Sequence, residues 1–133
     1  MVMSAMSMAI SKIVTELREL QIAYGYMIQN APTEESRRLV ELNRMTVNNT
    51  LARLGAVYME AVGEAMSPGE AAEVVPIFGS FMEAARYAFI EETQVISMLK
   101  DLHMMADECY RMSVFGLLID HELNAMRLLY LIA

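Results

Sequence analysis

In the first stretch of this sequence, apolar residues recur at alternating intervals of three and four positions without a break. They are Met3, Met6, Ile10, Ile13, Leu17, Leu20, Tyr24 and Met27. This spacing places one apolar stripe along a helix, and such a helix is stable when other helices cover the stripe. The pattern therefore predicts a long helix that belongs to an all-α bundle.

Three later stretches carry comparable apolar seams. The second seam comprises Val40, Asn43, Val47, Thr50, Leu54, Val57 and Ala61, the third Phe81, Ala85, Ala88, Glu92, Val95, Leu99 and Leu102, and the fourth Tyr110, Val114, Leu117, His121, Asn124, Leu128 and Leu131. We predict the third helix from about Ile77 to His103. No stretch shows the alternation of a strand, so the sequence predicts four helices.

The connections between these helices differ in length. Pro32 ends the first helix and Thr33 can cap the second, which makes the two antiparallel neighbours. A short turn before Asp107, a plausible cap, joins the last two helices. The connector from about Gly63 to Gly79 includes a helix-start motif at 67–70, and its roughly 17 residues could span about 55 Å if extended. We predict one domain over residues 1–133, with a crossover between helices 2 and 3.

Apolar residues are unusually abundant for a chain of this length. They make up 56% of its 133 residues, against about 45–50% in ordinary soluble domains. Charge-free runs such as 20–33 and 112–119 are too short or too polar for a membrane span. We therefore expect the excess apolar surface to form the interface of a homo-oligomer, a dimer or larger.

Charge and cysteine content argue against two classes of protein, those that bind nucleic acid and those held together by disulfides. The net charge is −7, with 10 Lys and Arg residues in all and no basic run, which argues against nucleic acid as a partner. Cys109 is the single cysteine, so no internal disulfide framework is expected, and the start of the chain lacks a secretion signal. We expect a cytoplasmic protein.

Three segments carry a likeness to a known family. They are AYGYMIQNAPTEESRRL (23–39), YAFIEETQVISMLKDL (87–102) and FGLLIDHELNAMRLLYLI (115–132). They resemble small rubrerythrin-type members of the ferritin-like superfamily, especially those of spore-forming bacteria. The resemblance implies a four-helix bundle that holds two irons or manganeses between a Glu on each of helices 1 and 3 and a Glu-x-x-His on each of helices 2 and 4. It also suggests an association with the spore.

Most of the family's metal ligands are replaced in this chain. The six ligand positions fall at Leu17, Val47, Thr50, Glu92, His121 and Asn124, of which only Glu92 keeps the family's residue. Two divalent ions need several anionic oxygens, and Leu17 and Val47 supply none. The resemblance therefore implies a ferritin-like protein that has lost the di-metal centre.

The remaining polar residues of this set, Thr50, Glu92, His121 and Asn124, should meet at mid-bundle as a remnant polar cluster. One interpretation is a buried network of satisfied hydrogen bonds in which His121 pairs with Glu92. A second is a mononuclear metal site with Glu92 and His121 as ligands. The acidic pairs 34–35 and 91–92 are expected to face solvent, apart from Glu92.

The 14 methionines suggest one further kind of site. Met usually fills irregular cores and interfaces, but thioethers also bind Cu(I). A crossover bundle would bring the methionines of the first helix to the same end as those around the last turn. The candidate ligands for Cu(I) are Met1, Met3, Met6, Met8, His103, Met104, Met105, Cys109 and Met112.

Three functions follow from these observations. The leading prediction is a non-enzymatic ferritin-like structural or assembly protein without a cofactor. An alternative is a rubrerythrin-type di-iron or di-manganese oxidoreductase that uses Glu92 and His121 with nearby acids such as Glu16, Glu19 or Glu122. The other is a Cu(I)-binding or metal-buffering module at the methionine-rich end.

Overall fold

Four α-helices form the described part of the protein. A computed structural model describes residues 5–66 and 76–133. Within these ranges there is no strand, and the helices are α1 (Ala5–Gln29), α2 (Glu34–Val62), α3 (Phe81–Met105) and α4 (Glu108–Ile132). The predicted all-α fold of four helices is confirmed.

The helices pack so that each contacts two others. α1 contacts α2 and α3, and α4 also contacts α2 and α3; among the described residues, α1 does not contact α4 and α2 does not contact α3. The two short connections, 30–33 and 106–107, join neighbours. α2 and α3 therefore lie across one diagonal of a four-helix bundle, and α1 and α4 across the other.

The core is built from the predicted seams. Fully buried side chains come from all four helices, among them Ile13 and Tyr24 of α1, Leu54 of α2, Leu99 of α3 and Leu128 of α4. Ala61 is an exception, since it is exposed near the end of α2. Met3 lies outside the described residues. Helical periodicity thus predicted which face of each helix is buried.

Local signals set the bounds of α2. The Thr33 side chain accepts a hydrogen bond from the Ser36 amide, and the Thr33 amide donates to the Ser36 hydroxyl, which together form a capping box. At the other end Gly63 has a φ of 86°, a left-handed conformation that glycine adopts without strain. Both ends lie where the sequence predicts them.

The start of α3 differs from the prediction. The helix begins at Phe81 and not near Ile77, whose side chain is almost fully exposed. Ser80 is the N-cap and accepts from the Glu83 amide, while the Glu83 carboxylate accepts from the Gly79 amide. The sequence Ser80-x-x-Glu83 is a cap signature that stops the helix from starting earlier.

Two other expectations about the connections have different outcomes. Asp107 is the N-cap residue of α4 as predicted, but its side chain makes no capping hydrogen bond. The helix-start motif at 67–70 lies outside the described residues, as does most of the connector.

No helix in the described ranges has the length and apolar character needed to cross a membrane.

Candidate functional site

The six seam positions where the resemblance places metal ligands all lie in the interior of the bundle. Leu17, Val47, Thr50, Glu92, His121 and Asn124 have no solvent-accessible surface. Leu17 and Val47 are part of the hydrophobic core. The other four contribute to one hydrogen-bonded cluster, which we call the central network.

Glu92 lies at the centre of this network. Its Oε1 accepts hydrogen bonds from the Tyr24 hydroxyl at 2.6 Å and from Nδ2 of Asn124 at 2.8 Å. Its Oε2 lies 2.7 Å from Nδ1 of His121, with both side chains fully buried. Three protein groups therefore surround the carboxyl group, as a buried polar group requires.

His121 is held through both ring nitrogens. Nε2 lies 2.7 Å from Oγ1 of Thr50, and the Thr50 hydroxyl donates to the Thr46 carbonyl at 2.9 Å. A hydroxyl has one hydrogen and Thr50 donates it to Thr46, so Oγ1 accepts a hydrogen bond from an Nε2–H group of His121. The opposite nitrogen, Nδ1, pairs with Oε2 of Glu92 at 2.7 Å. The imidazole consequently has no free lone pair.

Asn43 and Asn124 tie α2 to α4. Nδ2 of Asn43 donates to the Asn124 carbonyl at 3.0 Å, and Nδ2 of Asn124 donates to the Asn43 carbonyl at 3.2 Å. Arg127 donates from Nη1 to Oδ1 of Asn43 at 3.3 Å and of Asn124 at 3.2 Å. These contacts extend the network from the mid-bundle to the partly buried Arg127 at its edge.

Sequence reasoning missed three members of the network, namely Tyr24, Asn43 and Arg127. Tyr24 and Asn43 were on the predicted seams, but their polar atoms were not connected to Glu92. Burial is the main cause that raises the pKa of Tyr24 well above its ordinary value, followed by the charge and hydrogen bond of Glu92. Tyr24 therefore stays protonated and acts as a donor. The sequence signal that could have revealed this contact is a tyrosine, Tyr24, on the buried face of one helix and an acid, Glu92, on the buried face of another.

The central network does not offer the donor set of a di-metal centre. Two ions need several carboxylate oxygens, yet Glu92 is the only buried acid in it. A metal on Glu92 and His121 would have to displace the hydrogen bonds of Thr50, Asn124 or Tyr24. What the arrangement does is join all four helices through polar contacts in an otherwise apolar core.

A second cluster of acids lies between α1 and α3, and we call it the carboxylate cluster. It consists of Glu16, Glu19 and Glu91, which each have a carboxylate oxygen within 4.8 Å of those of the other two. Glu91 was expected to face solvent, but it is only 8% exposed. That expectation is wrong because α1 covers the flank of α3 next to the seam.

The electrostatics of the carboxylate cluster are unfavourable for three charged acids. Burial, followed by the hydrogen bonds and charges of Glu16 and Glu19, raises the pKa of Glu91 to about 9. The Tyr87 hydroxyl donates to Oε2 of Glu19 at 3.3 Å, and burial together with the acids raises its pKa. Among the described residues, Oε2 of Glu16 and Oε2 of Glu91 are buried without a hydrogen-bond donor.

The candidate copper ligands are only partly brought together. Met8 and Met105 line one surface groove, together with Met98. The His103 ring packs against Phe115 with centroids 5.8 Å apart, and Cys109 is exposed. Met6 packs against the core, Met104 and Met112 are exposed, and Met1 and Met3 lie outside the described residues. Of the acids considered for an oxidoreductase, Glu122 faces solvent.

Comparison of the chain with models of known protein families, with curated proteins and with solved structures gives no match.

Proposed function

We propose that this chain is a non-enzymatic, ferritin-like structural or assembly protein in which a hydrogen-bonded network takes the place of a di-metal centre. The observation that carries the proposal is the saturation of the central network. Both oxygens of Glu92 and both nitrogens of His121 already have protein partners, and the apolar Leu17 and Val47 fill two further ligand positions.

A ferritin-like topology, with a crossover from α2 to α3, is part of this proposal. α2 and α3 lie on a diagonal. Met8 near the start of α1 shares a groove with Met105 at the end of α3, and Tyr26 near the end of α1 contacts Phe78 just before α3. α1 thus runs opposite to α3 and, through a short turn, opposite to α2. Parallel α2 and α3 require a connection along the bundle.

The structural role rests on self-association through the outer face of α4. Large apolar side chains follow that face at intervals of three, four or seven residues, namely Met112, Phe115, Ile119, Met126 and Leu129, with Leu123 and Tyr130 beside them. Met112 is 80% exposed and Met126 is 62% exposed. An apolar stripe of this length on a helix surface is typical of a helix–helix interface. We propose that a second copy of the chain covers it.

Metal content tests the absence of a di-metal centre. The protein is expressed in medium rich in iron and manganese, and its metal is measured for the wild type, for His121→Gln and for the double variant Glu16→Gln/Glu91→Gln. We expect no ion whose retention depends on His121. Two ions per chain that are lost in His121→Gln would contradict the proposal and favour the oxidoreductase, whose ligands include His121.

A further inference from the structure

The carboxylate cluster brings acidic side chains from two helices, α1 and α3, close together. Glu16 and Glu19 are three residues apart and therefore lie on one face of α1. Glu91 approaches them from α3. The only donor that the described residues bring to the cluster is the Tyr87 hydroxyl, which contacts Glu19. Three acids with carboxylate oxygens within 4.8 Å of one another and one donor need a positive charge or shared protons.

Two oxygens in the cluster lack the partner that burial normally requires. The Glu91 side chain is more than nine-tenths buried, and its Oε2 has no hydrogen-bond donor in the described part of the chain. Oε2 of Glu16 is in the same situation. Buried polar atoms are almost always satisfied by protein, water or an ion. These two oxygens come from different helices, on two of the three residues whose carboxylate oxygens lie within 4.8 Å of one another.

We propose that Glu16, Glu19 and Glu91 bind one hard divalent cation, Ca²⁺ or Mn²⁺, in the groove between α1 and α3. Carboxylate oxygens with water suit these ions, whereas Cu(I) and Zn²⁺ favour sulfur or imidazole. Oxygens on opposite sides of Ca²⁺ are about 5 Å apart, since each bond is about 2.3–2.6 Å long. The 4.8 Å limit on the separations in the cluster lies within that reach. Water completes the coordination.

This cation site is separate from the central network. Glu91 and Glu92 are adjacent on α3, but Glu92 points into the bundle and contacts Tyr24, Asn124 and His121. A cation at the carboxylate cluster therefore leaves those hydrogen bonds in place. The inference does not depend on the proposed function, because a structural protein and an enzyme could both carry a stabilising ion at this position.

Titration of the chelator-treated protein with Mn²⁺ tests the proposal, with free Mn²⁺ measured by electron paramagnetic resonance. We expect one ion per chain with a dissociation constant on the order of 10⁻⁴ M or tighter, and competition by Ca²⁺. Glu16→Gln/Glu91→Gln should bind at least about tenfold more weakly. The control, Glu64→Gln/Glu108→Gln, makes the same change of net charge at exposed positions and should bind like the wild type.

A second measurement locates the ion. Tb³⁺, which binds at oxygen-rich sites, emits when a nearby tyrosine transfers energy to it, and Tyr87 is beside the cluster. Tyr87→Phe should strongly reduce this emission while Mn²⁺ binding changes less than in the double variant. Equal affinity in the wild type, the double variant and the control, or no saturable binding at all, would overturn the proposal and leave a cluster that holds shared protons. Circular dichroism verifies that each variant is folded.

Discussion

At the scale of single residues, the Glu92 carboxylate is the group on which most of the central network depends. It accepts hydrogen bonds from Tyr24 and Asn124 and pairs with Nδ1 of His121. Replacing it by an apolar residue leaves three buried polar groups without their partner. The cost of such a loss arises from the groups left behind more than from the pair itself.

We predict that Glu92→Leu lowers the free energy of unfolding by about 3–5 kcal/mol, because three buried polar side chains are left without their partner. Urea denaturation measures this loss. Glu122→Leu is the control, because Glu122 is exposed on α4 and its replacement should change stability by no more than about 0.5 kcal/mol. A loss below about 1 kcal/mol for Glu92→Leu would show that the network contributes little.

We predict that the Glu91 carboxyl makes the stability of the metal-free protein depend on pH. Its pKa in the folded state is raised to about 9 from the ordinary value of 4.5, so the folded state binds the proton more tightly than the unfolded state. This contribution is complete at pH values below the unfolded pKa and is lost as the pH rises towards 9. We expect Tm in excess chelator to fall between pH 5 and pH 9 by more in the wild type than in Glu91→Gln. Equal slopes for the two proteins would contradict this assignment.

The two clusters differ in how far the sequence reveals them. Thr50, Glu92, His121 and Asn124 were predicted together because each lies on the buried seam of its own helix. Glu91 is one position off the seam, and its burial is imposed by α1. Periodicity within one helix describes the face that the helix buries, but not how far a neighbouring helix covers its flank. For this reason the carboxylate cluster could not be found from the spacing alone.

At the scale of elements, the helix ends were predicted well where a side chain determines them. Thr33 and Gly63 bound α2 as the sequence suggests. The start of α3 was placed four residues early because Ile77 and Phe78 extend the apolar pattern, although Ser80 and Glu83 gave the stronger signal. An N-cap fixes where helical hydrogen bonding begins, whatever apolar residues precede it.

We predict that Thr33→Ala lowers the free energy of unfolding by about 1 kcal/mol, the usual effect of losing an N-cap side chain. Asp107→Ala is the matched control, since Asp107 is the N-cap of α4 but its side chain makes no capping hydrogen bond. Thermal denaturation of both variants measures the difference. Equal losses would mean that the charge of Asp107 near the helix end stabilises α4 as much as the Thr33 hydrogen bond stabilises α2.

At the scale of the whole molecule, four local apolar seams were sufficient to predict a bundle, because each helix has one face that other helices must cover. Which helices become neighbours follows instead from the connections. The two short turns were readable in the sequence. The α2–α3 connection was not, since a segment of that length permits both an adjacent and a diagonal arrangement. Among the described residues, α1 contacts both α2 and α3, and those two helices do not contact each other.

The exposed apolar face of α4 can be tested as an interface by measuring the oligomeric state of the protein. Ile119 is 40% exposed at the centre of that face, whereas Ile90 is 54% exposed on a different helix, α3. We predict that the wild type is a dimer or larger by light scattering coupled to gel filtration. Ile119→Lys should dissociate it, because two copies related by a twofold axis would bring like charges together in an apolar interface.

Ile90→Lys distinguishes a specific interface from general stickiness. Both variants add one positive charge and remove one exposed isoleucine, so they change the net charge equally, and Ile90→Lys removes the more exposed side chain. If the second copy binds along α4, Ile90→Lys stays oligomeric at concentrations where Ile119→Lys is a monomer. A monomeric wild type, or equal dissociation of both variants, would remove the α4 interface and with it the structural role, since an exposed stripe without a partner mainly promotes aggregation.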